Sequence, residues 1–281
     1  MVSVIMPAYN VEAYIEESIL TIVEQDYRNL ELVVVNDGST DGTLRAVRQL
    51  AERYPDTIRY FTIRNSGPAK ARDAGIGQAK GDIIAYQDSD DVSLPRRISR
   101  EVKYLLEHPP IAMVYGGIEV RHVDGKIQHH AIQPFDRRLL LLRNYIACGT
   151  VLHWRHVFDK IGPWNENDDW DLWIRISEHF AIGALPETVY RYREHYSEFR
   201  YSLNMPRNAL MSLNTFFQRY CRKREAFVGI KVALLFVQYH LLKCLQMFMG
   251  NLAKRPRMMR IITRLFQFPE YKAFQILGRW K

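Results

Sequence analysis

Three carboxylates, Asp88, Asp90 and Asp91, arrive within four positions directly after the apolar run Ile83, Ile84, Ala85 and Tyr86. An uninterrupted apolar run of this kind is what a strand covered on both faces carries. The acids behind it cannot be buried unpaired without a large desolvation cost. A cation is the obvious partner: hard divalent ions take a few carboxylate oxygens and complete their shell with substrate phosphates, so the loop reads as an anchor for a metal and a diphosphate. Taken alone, the same residues also describe a solvated acidic turn. A second acidic group, Asp168 and Asp169, opens a helical pattern in which Leu172, Trp173 and Ile176 form the inner face. Acids at that position either serve chemistry or only favour the helix dipole.

The elements that must position these groups alternate. Val2–Met6 is a short apolar run ended by Pro7-Ala8-Tyr9-Asn10, with Asn10 placed to cap a helix bearing Ile15, Ile19, Ile22 and Val23 on one face. Leu30–Val35 repeats the pattern, followed by the polar NDGSTDGT and a helix with Leu44, Val47, Leu50 and Tyr54 on one side. Ile58–Ile63 is a third strand; a helix from about Pro68 to Lys80 follows, its proline suited to a first turn. Ile83–Gln87 is the fourth strand. This alternation predicts a parallel sheet with right-handed crossovers, whose ligands bind beyond the carboxyl ends of the strands. Each of those ends is polar here: Tyr9 and Asn10, Asp37, Arg64 and Asn65, and Asp88 to Asp91. The spacing then predicts a helix with Ile98, Val102 and Leu105 in register, a strand over Ile111–Tyr115 with a hairpin turning at Asp124-Gly125, and a returning strand over Gly149–Trp154, so that the sheet becomes mixed.

With 281 residues, 47% of them hydrophobic, the chain can form one large domain or a domain with an appendage. Met1 leads straight into a strand-like VSVIMP, with no pattern of signal-peptide form. Cys148, Cys221 and Cys244 are odd in number and widely spaced, which argues against a disulfide framework or a thiolate metal site and for a reducing cytoplasm. Charge is unevenly divided. From Arg200 to Lys281, 16 Lys and Arg stand against two acids, a local +14, which leaves −6 for the rest of a chain whose total is +8. The split predicts an acidic catalytic body over residues 1–199 and a basic appendage over 200–281 that meets something anionic.

Together these segments resemble the family-2 inverting glycosyltransferases, nucleotide-sugar enzymes of the GT-A fold, from about Met1 to Ser197. VSVIMPAYN resembles that family's opening strand and nucleotide loop, VVVNDGSTDGT its acidic nucleotide turn, NSGPAKARDAGI the helix carrying an arginine, and AKGDIIAYQDSDD the metal strand. IGPWNENDDWDLWIRI resembles the acidic acceptor motif and VYRYREH the Arg/His segment that closes over the diphosphate. The resemblance implies a Rossmann-like, mostly parallel mixed sheet flanked by helices, with a C-terminal helical appendage.

It also implies roles. Pro7, Ala8 and Tyr9 would line the base and ribose pocket, Asp37 would accept from the ring N–H of the base, and Arg72 would face the nucleotide. Asp88 would sit near the ribose, Asp90 would hold Mn²⁺ or Mg²⁺ through the diphosphate, and Asp91 would orient donor sugar or acceptor. Asp169 matches the catalytic base, and His195, with Arg193, the position touching diphosphate or metal. Two departures stand out: Asn36 replaces a common Asp, which would alter a contact in the nucleotide pocket, and Asp168-Asp169 replaces the commoner Glu-Asp, leaving open which acid is the base. A saccharide acceptor, lipid-linked, is the expected partner.

Other functions fit less well. A dinucleotide-binding dehydrogenase would carry GxGxxG where this chain has PAYN. A non-catalytic nucleotide-sugar-binding protein would not need Asp90 and Asp169. The basic C-terminal region comes with no recognised nucleic-acid module, so nucleic acid is not an expected partner. Within that region Ala226–Gly250 is the longest apolar stretch, yet Lys231, Gln238, His240, Lys243 and Gln246 interrupt it, which disfavours a span. Phe227, Ile230, Leu234, Val237, Leu241, Leu245 and Phe248 share one helical face. That face either packs on the catalytic domain or a second subunit, or, with the flanking Arg222-Lys223-Arg224 and Lys254, Arg255, Arg257, Arg260 and Arg264, lies on an anionic membrane surface at the cytoplasmic side.

Overall fold

The computed structural model describes residues 1–142, 144–164 and 169–194. Asp168, His195 and the whole of 200–281 therefore lie outside the described residues, and with them the apolar stretch at 226–250. By compactness the chain divides into two units, Met1–Arg137 with Arg143–Glu198, and Arg138–Leu142 with Phe199–Lys281.

The first unit opens with the alternation expected. Strand β1 (Val2–Ala8) leads to helix α1 (Ile15–Val23), β2 (Leu30–Asn36) to α2 (Thr43–Arg53), β3 (Ile58–Thr62) to α3 (Pro68–Gln78), and β4 (Ile83–Tyr86) follows. All three pairings β3-β2-β1-β4 are parallel, with Ala8 opposite Asn36 and Asn36 opposite Thr62, so the carboxyl ends of these strands form one edge. Both faces are covered: Val2, Val4, Ile5 and Met6 of β1 and Leu32 to Val35 of β2 are all at 0% exposure, the continuous apolar strand that a doubly covered sheet demands. In α1 the buried Ile15, Ile19 and Ile22 recur at helical spacing. Helix α3 buries only Ala71 and Gly75. A Cβ on Gly75 would stand 2.6 Å from Ile5 Cγ2, so glycine lets this helix lie close on β1.

Past β4 the sheet becomes mixed, as the alternation's end suggested. The two-residue β5 (Val92–Ser93), α4 (Arg97–Glu107), β6 (Ile111–Arg121), β7 (Ile127–His129), the short helix α5 (Arg137–Leu142), β8 (Val151–Trp154), α6 (Val157–Ile161), α7 (Asp169–His179) and β9 (Ala181–Arg193) follow. Strand β8 runs antiparallel between β4 and β6, while β9 lies parallel to β6 and antiparallel to β5, giving the order β3-β2-β1-β4-β8-β6-β9-β5. The β6–β7 hairpin turns at Asp124-Gly125, where Gly125 has φ 82°. Strand β9 has no counterpart in the pattern reading, because its apolar and polar positions do not alternate and Pro186 interrupts it.

One local expectation fails. Asn10 does not cap α1, whose N-cap is Tyr14. It takes a left-handed φ of 52° and accepts from the Thr40 N–H at 2.8 Å, while its own N–H donates to Ser39 Oγ at 3.1 Å. Asparagine tolerates that conformation, and the bonds tie the loop after β1 to the loop after β2. Among the described residues, no helix is long and apolar enough to cross a membrane.

Candidate active site

The loops after β1, β2 and β3 are stitched together at the carboxyl edge. Tyr9 is 47% exposed there, Pro7 is half-buried, and Ala8 is in the core, so Ala8 can meet a ligand only through its backbone. Asp37 is nearly buried, and its two carboxylate oxygens accept from Ser66 N–H (2.8 Å) and Gly67 N–H (2.9 Å) at the entry to α3. Each oxygen keeps a second lone pair for another donor. Asn36 is the position at which the resemblance implies an altered contact in the nucleotide pocket. Asn36 is 1% exposed, its Nδ2 donates to Thr62 Oγ1 and its Oδ1 accepts from Ser39 N–H, so the amide is spent on the scaffold.

The acids after β4 rest on a buried polar hub. Gln87, wholly buried, donates through Nε2 to Ser18 Oγ and to the carbonyls of Asp88 and Asp91 (3.0–3.1 Å), and accepts from Ser93 Oγ–H and Arg97 Nη1. Arg97 is itself at 0% exposure. It is paired with the equally buried Glu101 and donates to Tyr86 O. Burial pushes the Glu101 carboxyl up to about 7, against the pull of Arg97. Above this hub, Asp88 pairs with Arg72 at 2.7 Å, and its backbone N–H donates to Tyr190 Oη at 3.1 Å. Gly149 makes room for that tyrosine, since a Cβ there would collide with its ring.

Asp91, 1% exposed, accepts from the Arg193 N–H at 2.8 Å, and the Arg193 side chain reaches Asp90 O (2.9 Å) and the Glu17 carboxylate (2.6 Å). Burial, then the negative charges of Asp88 and Asp90, hold the Asp91 carboxyl well above the usual carboxylate range. Among the described residues, no three His, Cys, Asp or Glu side chains converge as a metal cage. A hard cation nevertheless fits the chemistry of this loop: it brings three carboxylates within four positions, with Asp88 and Asp90 partly exposed, and Mg²⁺-type ions use one or two carboxylates together with phosphate oxygens.

Asp169 stands at the first position of α7, half-buried, where the helix dipole favours a carboxylate. Asn144 Nδ2 donates to its Oδ1 at 3.0 Å. Arg72 lies close to it as well: burial alone would weaken the Arg72 cation, but Cys148, Asp88 and Asp169 act on it electrostatically and raise its pKa above the usual arginine value. The indole of Trp164 lies 4.9 Å from the Arg72 guanidinium, its backbone N–H donates to Asp73 (2.8 Å), and its Nε1–H donates to Tyr86 Oη (3.2 Å). Trp164 thus ties α3 to β4 at the last described residue before Asp169.

Of the residues the sequence singled out, the fold draws Asp88, Asp90, Asp91 and Arg193 into one cluster and links Asp88 through Arg72 to Asp169; Asp37 and Tyr9 stand on the same edge at the neighbouring loops. His195 lies outside the described residues. Gln87, Glu17, Asn144, Trp164 and Tyr190 were missed as site residues. Tyr190 and Trp164 fall inside recognisable motifs, but nothing in a linear reading marks Glu17 or Asn144.

The match to known proteins agrees with this geometry. The family model "Glycosyl transferase family 2" matches residues 3–161. The putative glycosyltransferase EpsE of Bacillus subtilis (strain 168) is 33% identical over 208 residues, 71% of this chain and 75% of its own length. An uncharacterized glycosyltransferase of Haemophilus influenzae is 33% identical over 243 residues, 85% of this chain and 94% of its own. Among solved structures, S. aureus TarS 1-349 in complex with UDP-GlcNAc superposes with a TM-score of 0.64 at 20% identity, covering 91% of this chain and 76% of that one. The mannosyltransferase PcManGT from Pyrobaculum calidifontis, in complex with GDP-Man and Mn²⁺, gives 0.62 at 19% identity, covering 99% and 87%. A mixed sheet of this order with an acidic loop at its carboxyl edge is a nucleotide-sugar transferase fold of the GT-A type. The chain belongs to glycosyl transferase family 2 and is a glycosyltransferase.

Proposed function

We propose that this glycosyltransferase works with inversion, moving a sugar from a nucleoside diphosphate to a hydroxyl of a saccharide acceptor. The observation that carries the reading is Arg72, which pairs with Asp88 and acts on Asp169, so that the acids after β4 and the helix-terminal acid share one cation. Asp169 takes the proton of the acceptor hydroxyl; the acceptor oxygen bonds to the anomeric carbon as the bond from that carbon to the diphosphate oxygen breaks, and the electron pair leaves with the nucleoside diphosphate. No covalent intermediate is needed.

Tyr9, Pro7 and the Ala8 backbone border the base and ribose, Asp37 offers its remaining lone pairs to the base, and Asp88 lies towards the ribose. Asp90, with His195, would hold Mn²⁺ or Mg²⁺, which supplies Lewis-acid stabilisation of charge on the leaving phosphate. Arg193 adds a fixed positive charge beside the same loop, and Asp91 orients donor sugar or acceptor. The named complexes of TarS with UDP-GlcNAc and of PcManGT with GDP-Man and Mn²⁺ support a nucleotide-sugar donor.

The domain division belongs to the same reading: residues 1–199 as the catalytic body and 200–281 as a basic amphipathic appendage at the cytoplasmic face of a membrane, where a lipid-linked acceptor would be met. The charge of that segment, with the apolar face flanked by basic clusters, supports it. Thermal shift across nucleotide sugars with and without Mn²⁺ tests the donor, since a ligand of the folded state raises its stability with occupancy. Release of nucleoside diphosphate from the donor that stabilises most then tests catalysis. Stabilisation without any release would favour a binding protein.

A further inference from the structure

We infer that Asn144 is a positioning residue for Asp169, holding one oxygen of that carboxylate through an amide whose orientation the chain itself fixes. The inference rests on the reading of Asp169 as the base.

An asparagine side chain can ordinarily present either its oxygen or its nitrogen. Here the choice is made, because Asn144 Oδ1 accepts from the Ile146 N–H at 3.2 Å, so Nδ2 must face Asp169, which it meets at 3.0 Å. The two residues that follow are anchored. Tyr145 Oη accepts from the Asp136 N–H (2.8 Å) and donates to Asp136 O (3.1 Å), and Ile146 is 1% exposed. Asn144 itself is exposed and supports no core. It is a polar donor held at the acid, followed by a hydrogen-bonded Tyr145 and a buried Ile146.

A hydrogen bond to a carboxylate favours its charged form and limits its rotation, which keeps a base ionised and aimed at the cost of some basicity. Among the described groups that act on Asp169 from packed elements are Arg72 of α3 and the Cys148 thiol, both of which interact with it electrostatically. On its own helix, Asp171 is paired with Arg175. Arg72 supplies charge from one direction, and Asn144 supplies direction from another.

Two variants separate positioning from mere loop support. Asn144→Asp keeps an oxygen acceptor for the Ile146 N–H and replaces only the donor to Asp169, with a like charge. Asn144→Ala removes both. Titration of the full chain with ¹³C-carboxyl-labelled aspartate, the Asp169 signal being assigned by its loss in Asp169→Asn, should show that signal titrating about one unit higher in Asn144→Ala. Nucleoside diphosphate release from a panel of nucleotide sugars with Mn²⁺ should fall about tenfold or more in Asn144→Asp, with donor KM unchanged and the acidic limb of kcat moved to higher pH. An Asp169 titration unmoved in Asn144→Ala, or release at the wild-type rate with an unmoved limb in Asn144→Asp, overturns the inference. Wild-type release by Asp169→Asn overturns the base assignment, and the catalytic role of Asn144 with it, even where the titration moves.

Discussion

The backbone N–H of Arg193 lies 2.8 Å from Asp91 Oδ1, joining the end of β9 to a loop 102 residues earlier in the chain. Its guanidinium also donates to Asp90 O and to Glu17, and lies 4.9 Å from the Tyr14 ring. Strand β9 therefore holds the acidic loop after β4. Arg193→Ala should weaken Mn²⁺-dependent binding of the nucleoside diphosphate about tenfold, and Arg193→Lys should recover little of it, since lysine cannot meet several acceptors with one planar fork. Titration calorimetry decides; full recovery in the lysine variant would mean that charge alone matters.

Asp90→Asn should abolish transfer and reduce nucleotide binding in Mn²⁺ to the level found without it, because a neutral amide is a poorer ligand for a hard cation. Calorimetry of UDP and GDP with and without the metal reads this. Retained Mn²⁺ dependence in the variant would remove Asp90 from the metal site.

Asp169→Asn should lower turnover by about 10²-fold or more and leave nucleotide affinity unchanged, since assistance by a general base is realised only in the transition state. The same substitution at Asp168 is the control. If the loss appears there instead, the base is the neighbouring acid.

Gln87→Leu should cost about 3 kcal/mol or more of stability, because it strips partners from the Asp88 and Asp91 carbonyls, the Ser93 hydroxyl and Arg97 in a buried site. Urea unfolding measures it. A midpoint equal to the wild type would show that the hub contributes nothing net.

His153 is wholly buried, accepting from Tyr86 Oη–H at Nε2 (2.8 Å) and donating from Nδ1 to Trp154 O (2.8 Å). Burial lowers its pKa from 6.5 to about 4. The unfolded chain thus takes up the proton first, so the stability this group contributes is present above pH 6.5 and is lost as pH falls towards 4, about 3 kcal/mol in all. Tm measured from pH 7 to 4.5 should fall further in the wild type than in His153→Gln. Parallel curves would mean that His153 is not held neutral.

If the basic appendage meets a membrane, full-length protein should float with anionic liposomes and release in high salt, whereas a truncation ending near Arg200 should not. Equal flotation of the two, or none by either, would favour packing or self-association of that segment.

The parallel half of the sheet and the acids at its edge were legible before any coordinates. Uninterrupted runs such as Leu32–Val35 between turn signals suit strands covered on both faces, and polar loops at the ends of successive parallel strands must share an edge. Helices α1, α2 and α4 announced themselves by spacing, since each buries a single stripe. What linear pattern could not reach was everything made by contact between distant segments. Arg97 and Glu101 flank an apolar stripe in sequence, and only tertiary packing of α4 makes them a buried pair. Asn36 stands in sequence beside Asp37, yet the pleat turns successive side chains to opposite faces and puts its amide on Thr62. Asn10 has the right type for a cap, but the loop it closes belongs to two strands at once. Asn144 meets Asp169 across 25 residues, and Arg193 meets Asp91 across 102. Periodicity records which face of an element is buried; it carries no information about which two elements meet, and the groups that hold the site's acids in place come from those meetings.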